Sequence, residues 1–148
     1  MQNKAQLKQL LKKLFESQKL AVLATHNDRQ SYASLVAFAA TTDLKHIVFA
    51  TSRATRKFAN LSANPRIAML MDSRSNRNVD FRKAVAVTTI GKAVKVGPRE
   101  KSNFQDLYLA KHPQLKEFIA SPTCALLKVK VDEYYIVSRF QDIAELRP

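Results

Sequence analysis

Leu7, Leu10, Leu11, Leu14 and Phe15 recur at i, i+3, i+4, i+7 and i+8, with Lys4, Lys8, Lys12 and Lys13 around the rest of the turn. That spacing predicts an amphipathic helix over residues 3–17, within an N-terminal helical segment 1–18 whose apolar stripe covers the domain's own sheet. The pattern then changes period. LAVLAT at 20–25 is a short apolar run closed by His26-Asn27-Asp28, which reads as a strand entering a hairpin. YASLVAFAAT at 32–41 is apolar on both faces, as suits a strand inside a barrel or sandwich rather than an edge. Thr42-Asp43 makes the next turn, residues 44–51 give a third strand and RIAMLMD at 66–72 a fourth. Residues 73–83 form a polar loop carrying Arg74, Arg77, Arg82, Lys83 and one aromatic, Phe81. The longest β-like run, 84–96, contains Gly91, which predicts a bulge or a close backbone approach.

Gly97-Pro98 breaks the sheet pattern and opens a helical excursion over 99–120, with Phe104, Leu107 and Tyr108 on one face. His112-Pro113 interrupts it before a short helix bearing Leu115, Phe118 and Ile119. Ala125, Leu127, Val129 and Val131 then alternate with polar or outward positions, and YYIVSRF at 134–140 either continues that strand or forms the last one. The tail to Pro148 carries little signal. About six hairpin-connected strands with few helices predict a single mainly β (α+β) domain over 1–148, an antiparallel barrel with flanking helices, and not a parallel doubly wound sheet.

Residues 49–65, FATSRATRKFANLSANP, concentrate the candidate chemistry. On a helical wheel started near Ala54, Ala54, Phe58 and Leu61 share one face, while Arg53, Arg56, Lys57 and Asn60 share the other. Thr51, Ser52 and Thr55 bring hydroxyls to the start of that helix, where amides lack intrahelical partners and the dipole is positive. Asn64-Pro65 ends it. This is an anion site in chemical terms, a phosphate cradle with Arg56 and Lys57 as counter-charges. The plainer reading is a capped, solvated basic helix.

The formal charge of +13 in 148 residues favours anionic partners without choosing among them. Only Gly91 and Gly97 are glycines, which excludes a GxGxxG fingerprint and a Walker-type loop, so a nucleotide must be held in some other way. Cys124 is the sole cysteine, which excludes an internal disulfide and points to a reducing, cytoplasmic setting. The N-terminus is too charged for a signal peptide, and no apolar run is long enough for a membrane span. His26 and His46 lack ligand spacing, so no metal site is expected. No acid, base or nucleophile arrangement is legible. A nucleic-acid reading draws on the charge and the 73–83 arginines but lacks interleaved aromatics for stacking.

The succession YASLVAF, VFATSRATRKFANLSANPRIAMLMD and a long strand ending IGKAVKV resembles the FMN-binding split-barrel family related to pyridoxamine 5′-phosphate oxidase. The likeness runs from about residue 19 to 97 and more loosely to 140. It implies a six-stranded antiparallel split β-barrel, a homodimer with FMN in clefts between subunits, and flavin-dependent oxidoreductase activity. By position it assigns Arg56 and Lys57 to the phosphate, with Thr55 just before them; Ser52 is a candidate through its place among the hydroxyls at the helix start. It also sets Ala50 and Thr51 beside the flavin chain and Ser34, Leu35, Val36 and Ala37 along the isoalloxazine. Three features of pyridoxamine phosphate oxidases proper are missing: a lysine where Ala39-Ala40 stand, an Arg-x-His element near the C-terminus, and a glutamine near Ala86. The resemblance therefore implies the binding fold without the vitamin substrate. Haem is the alternative cofactor, since haem-utilisation proteins share the barrel, and it would call on His26, His46 or His112 as axial ligand.

Overall fold

The computed structural model describes residues 3–139 and 142–148. The chain opens with α1 (Lys4–Ser17), held by a capping box in which Asn3 Oδ1 accepts from the Gln6 amide and Gln6 Oε1 accepts from the Asn3 amide, both at 2.9 Å. Its predicted stripe is buried at Leu7, Leu11, Leu14 and Phe15. Phe15 meets Phe38 edge-on at 5.7 Å between ring centroids and Tyr134 at 5.8 Å, which anchors α1 to the barrel.

The strands are β1 (Leu20–Asn27), β2 (Gln30–Ala40), β3 (His46–Ser52), β4 (Arg66–Asp72), β5 (Val85–Lys95), β6 (Cys124–Ser138) and β7 (Asp142–Leu146). Their order is β3-β2-β1-β4-β5-β6-β7, all antiparallel, and a β3–β6 pairing closes the first six into a barrel. Between strands lie α2 (Arg56–Ala63), the short α3 (Asp80–Lys83), and the excursion of α4 (Lys101–Lys111), a 3₁₀ turn (Pro113–Leu115) and α5 (Lys116–Ala120). The mainly β, six-stranded antiparallel split barrel with flanking helices is thus the observed architecture.

Two local devices shape it. Asp28 and Arg29, at φ 45° and 69°, turn β1 into β2 with both central residues left-handed, as a two-residue hairpin requires. At Gly91 the β5–β6 register shifts, and a Cβ there would run into the Lys130 carbonyl. The barrel bends at that close approach, as expected for the bulge.

β3 is sandwiched. Ile47 and Phe49 enter the barrel core, whereas Val48 and Ala50 pack with Ala39, Tyr108 and Ile119 beneath α4 and α5. His112, at the end of α4, is buried with its Nε2 2.8 Å from the Phe38 carbonyl oxygen.

Some expectations need correction. β1 extends to Asn27, because the hairpin turn itself is only Asp28-Arg29. β2 is not buried on both faces throughout: residues 30–33 are exposed and Leu35 is 62% exposed. Of the two alternatives for 134–140, continuation is the one observed: Tyr134 to Ser138 belong to β6, and Phe140 lies outside the described residues. The quiet tail holds β7, which pairs Leu146 with Tyr134 and Ala144 with Ile136. The 73–83 loop is organised by Asp80, whose carboxylate accepts from the Ser75 amide and hydroxyl and the Asn76 amide at 2.7–2.9 Å. These bonds, Ser75's first, hold the Asp80 carboxyl below its ordinary value.

Candidate functional site

The end of β3 and the start of α2 form one hydrogen-bonded unit around Thr55. Thr55 is the N-cap of α2: its Oγ1 accepts from the Phe58 amide at 3.3 Å, donates to the Ser52 carbonyl at 2.9 Å and lies 3.0 Å from Thr51 Oγ1. The side chain therefore ties the helix start to the strand end. Ser52 Oγ accepts from the Ala54 amide at 3.3 Å, and the Arg53 amide donates to the Thr123 carbonyl at 2.8 Å. By helical geometry the amides of Arg56 and Lys57 have no intrahelical acceptor.

The helix is rotated from the sequence-derived wheel. Ala54 precedes it and is exposed. Asn60, expected on the cationic arc, is buried at 5% exposure and its Nδ2 donates to Thr25 Oγ1 at 3.0 Å. The polar partner on β1 accounts for the difference, since a buried amide is stable where it is hydrogen-bonded. Asn64 closes the helix and sits 2.8 Å from His26 Nε2.

The cations stay on the outside. Arg56 lies over the Tyr32 ring at 5.7 Å, and Arg53 over the Phe58 ring at 5.7 Å. None of the ion pairs among the described residues involves Arg53, Arg56 or Lys57.

An open cleft of about 330 Å³ lies beside this unit. Leu35, Val36 and Ala37 of β2, Ala50, Thr51 and Ser52 of β3, and Thr55 and Lys57 at the start of α2 line it. Val36 has its side chain in the barrel core, so it offers the cleft main chain. Two of the sequence-derived candidates do not line it. Arg56 stands outside over Tyr32, and Ser34 shares the barrel-facing side of β2 with Val36 and Phe38, its Oγ buried without a hydrogen-bond partner.

Tyr108, Leu115 and Phe118 line the cleft as well, and no sequence pattern joins them to the site. Tyr108 is 1% exposed and Phe118 39%. Burial pushes the Tyr108 hydroxyl well above its ordinary value, so it is neutral at physiological pH. No residue of β5 lines the cleft among the described residues, Ala86 included. His26, His46 and His112 are also outside it.

The family model described as pyridoxamine 5′-phosphate oxidase matches residues 7–138. The chain belongs to that family. The match runs from within α1 to the end of β6, so it takes in the whole closed barrel and the excursion. Among solved structures, the chain resembles a heme binding protein from Mycobacterium smegmatis at 18% identity and TM-score 0.80, covering 90% of this chain and 55% of that one. It resembles ChuZ of Campylobacter jejuni at 16% identity and TM-score 0.81, covering 99% and 61%. It also resembles an FAD-binding protein from Mesorhizobium loti at 15% identity and TM-score 0.69, covering 86% and 90%. At such identities the likeness establishes the fold. This chain spans little more than half the length of the first two proteins. No curated protein matches its sequence.

Proposed function

We propose that the chain binds FMN in this cleft and serves as a flavin-dependent oxidoreductase that does not oxidise the vitamin phosphate. The observation that carries the reading is the junction of an apolar slot with an anion-ready end. Leu35, Ala37, Ala50, Leu115 and Phe118 supply a surface for a planar ring. At one end stand Lys57, the Thr55-capped helix start and, nearby, Arg56, cations without carboxylate partners among the described residues. The donor set suits a phosphate, and the slot suits an isoalloxazine.

In this reading Arg56, Lys57 and the first amides of α2 hold the phosphate, with Thr51, Ser52 and Thr55 shaping the strand end. Main-chain groups at Leu35 to Ala37 orient the ring, and Phe118 and Leu115 keep water from one side. Bound FMN supplies electron or hydride transfer, which leaves the protein to position and tune it.

A second copy of the chain completes the site. The outer face of β2, β1 and β4 is apolar and continuous: Leu35 pairs with Val22, Val22 with Leu70, and Ala24 with Ala33 and Ala68. Leu20, Leu35 and Leu70 are 53%, 62% and 36% exposed. Such a patch is an interaction surface. Leu35 belongs to both the patch and the cleft, so a partner seated there would cover the open side of the slot.

The test is an absorption spectrum of purified protein with FMN, then haem, and a count of ligand retained after gel filtration. One flavin per chain retained by the wild type and lost in Arg56→Ala/Lys57→Ala, with an unchanged circular dichroism spectrum, is the expected outcome. Flavin retained by the double variant would remove the phosphate assignment. A shifted Soret band without flavin retention would replace FMN by haem.

A further inference from the structure

A second cavity of about 260 Å³ lies where the β3 end, the β5 end, the first turn of α4 and the α5–β6 connection meet. It shares no residue with the cleft described above. Arg53, Lys95 and Lys101 converge on it from three different elements, and Gln105, Ser121 and Cys124 complete its polar lining.

Three features make it more than a solvated basic surface. None of the three cations belongs to an ion pair among the described residues. The nearest acid in sequence, Glu100, is engaged elsewhere, accepting from Lys128 Nζ at 2.6 Å and from the Gly97 amide at 3.2 Å. Bringing like charges to one concavity is unfavourable unless an anion offsets it.

Two of the three cations, all exposed, share an aromatic neighbour. Arg53 and Lys95 both lie over the Phe58 ring, at 5.7 and 5.6 Å, and the Arg53 main chain is tied to Thr123 at 2.8 Å. Arg53 and Lys101 both act electrostatically on the Cys124 thiol, drawing it down against the stronger effect of burial. Lys101 and Gln105, one turn apart on α4, both face the cavity.

From this convergence we infer that the cavity is a second anion site, independent of the flavin cleft, for a small phosphate-class polyanion such as pyrophosphate or a compact phosphomonoester. Charge decides against a single monoanion, because three separate cations face one space.

The single cysteine gives a local reporter. Pyrophosphate is titrated into the wild type and into Lys95→Ala/Lys101→Ala at constant ionic strength, with the rate of Cys124 alkylation by N-ethylmaleimide followed in parallel. A Lys8→Ala/Lys13→Ala variant matches the loss of charge on the distant helix α1. The expected result is a site of one pyrophosphate per chain whose affinity falls at least tenfold in Lys95→Ala/Lys101→Ala and is unchanged in the α1 variant. Pyrophosphate is also expected to slow alkylation in the wild type at least threefold. Absence of binding, equal losses in both variants, or binding that leaves the alkylation rate unaltered would each overturn the site. FMN retention is measured on the same samples and is expected to be unchanged, so failure of the flavin reading would not be mistaken for failure of this one.

Discussion

Gly91 is where a single residue decides whether the barrel closes. Its missing side chain leaves room for the Lys130 carbonyl of β6, and a methyl there would also come within 2.9 Å of Val129 Cγ1. Main chain cannot step aside as a flexible side chain does, so Gly91→Ala is expected to destabilise by about 1–3 kcal/mol or more. Urea unfolding checks this, with a lower midpoint at an unchanged slope. Lys111 is a second such residue. Its Nζ donates to the Phe15 carbonyl at 2.7 Å and lies 3.7 Å from the Phe38 ring centroid, and burial draws its pKa down from 10.5 to about 8. The unfolded chain therefore holds this proton more tightly than the folded one. Between pH 8 and 10.5 the unfolded state binds more protons at this residue, so its contribution to stability rises with pH; below pH 8 the penalty of the buried charge is fully present. Tyr108 and Tyr134, whose hydroxyls burial pushes up, act in the opposite direction above pH 10, where the unfolded chain ionises first. Comparing wild type with Lys111→Met from pH 7 to 9.5 isolates the lysine. The gap in unfolding midpoint is expected to move in favour of the wild type as pH rises.

At the scale of elements, α2 is eight residues long and has no acidic residue in its first turn to complement the dipole. Its stability depends on its cap and on what it packs against. Thr55 carries the cap and the tie to β3, while Asn60 and Leu61 bury its inner face. Thr55→Ala should cost about 1–2 kcal/mol through loss of the cap, seen as a lowered thermal midpoint. It should also weaken FMN binding more than that stability loss explains, because the strand end and the helix start would no longer be locked together. Flavin titration of the folded variant at a temperature well below its midpoint checks this. Helices α4 and α5 play a different part. They cover the outer face of β3 with Tyr108 and Ile119, while Phe118 of α5 and Leu115 of the 3₁₀ turn between them line the cleft.

Across the whole molecule, charge and apolar surface are separated. The 25 lysines and arginines far outnumber the 12 acids, yet the outer face of β2, β1 and β4 carries Leu20, Val22, Leu35 and Leu70. A partner of the same charge must dock through that apolar face and not through the basic helices. In the proposed dimer, Leu35→Glu is expected to shift the species seen by analytical ultracentrifugation from dimer to monomer, and to lose the proposed flavin together with the partner. A dimeric Leu35→Glu variant would move the interface elsewhere. Among the described residues, no helix is long and apolar enough to cross a membrane.

The leucine stripe of α1, the strand runs, the bulge at Gly91 and the hydroxyl-rich start of α2 were all legible from the chain, because each depends on local period or on one residue's backbone freedom. So were most of the cleft residues, since Ala50 to Lys57 are neighbours in sequence and the resemblance supplied Leu35 to Ala37. The rotation of α2 was not legible. Asn60 faces inward, where Thr25, thirty-five positions away, offers it a hydroxyl. Nor could the sequence join Tyr108, Leu115 and Phe118 to the cleft, or bring Arg53, Lys95 and Lys101 around Cys124, for those meetings follow from barrel closure between β3 and β6. β7 was missed because five residues of mixed polarity become a strand only when the edge of β6 is there to pair with. The sequence determined the elements and the chemistry each carries; the closed barrel decided which of them share a cavity, because nonlocal pairing fixes distances that no local pattern encodes.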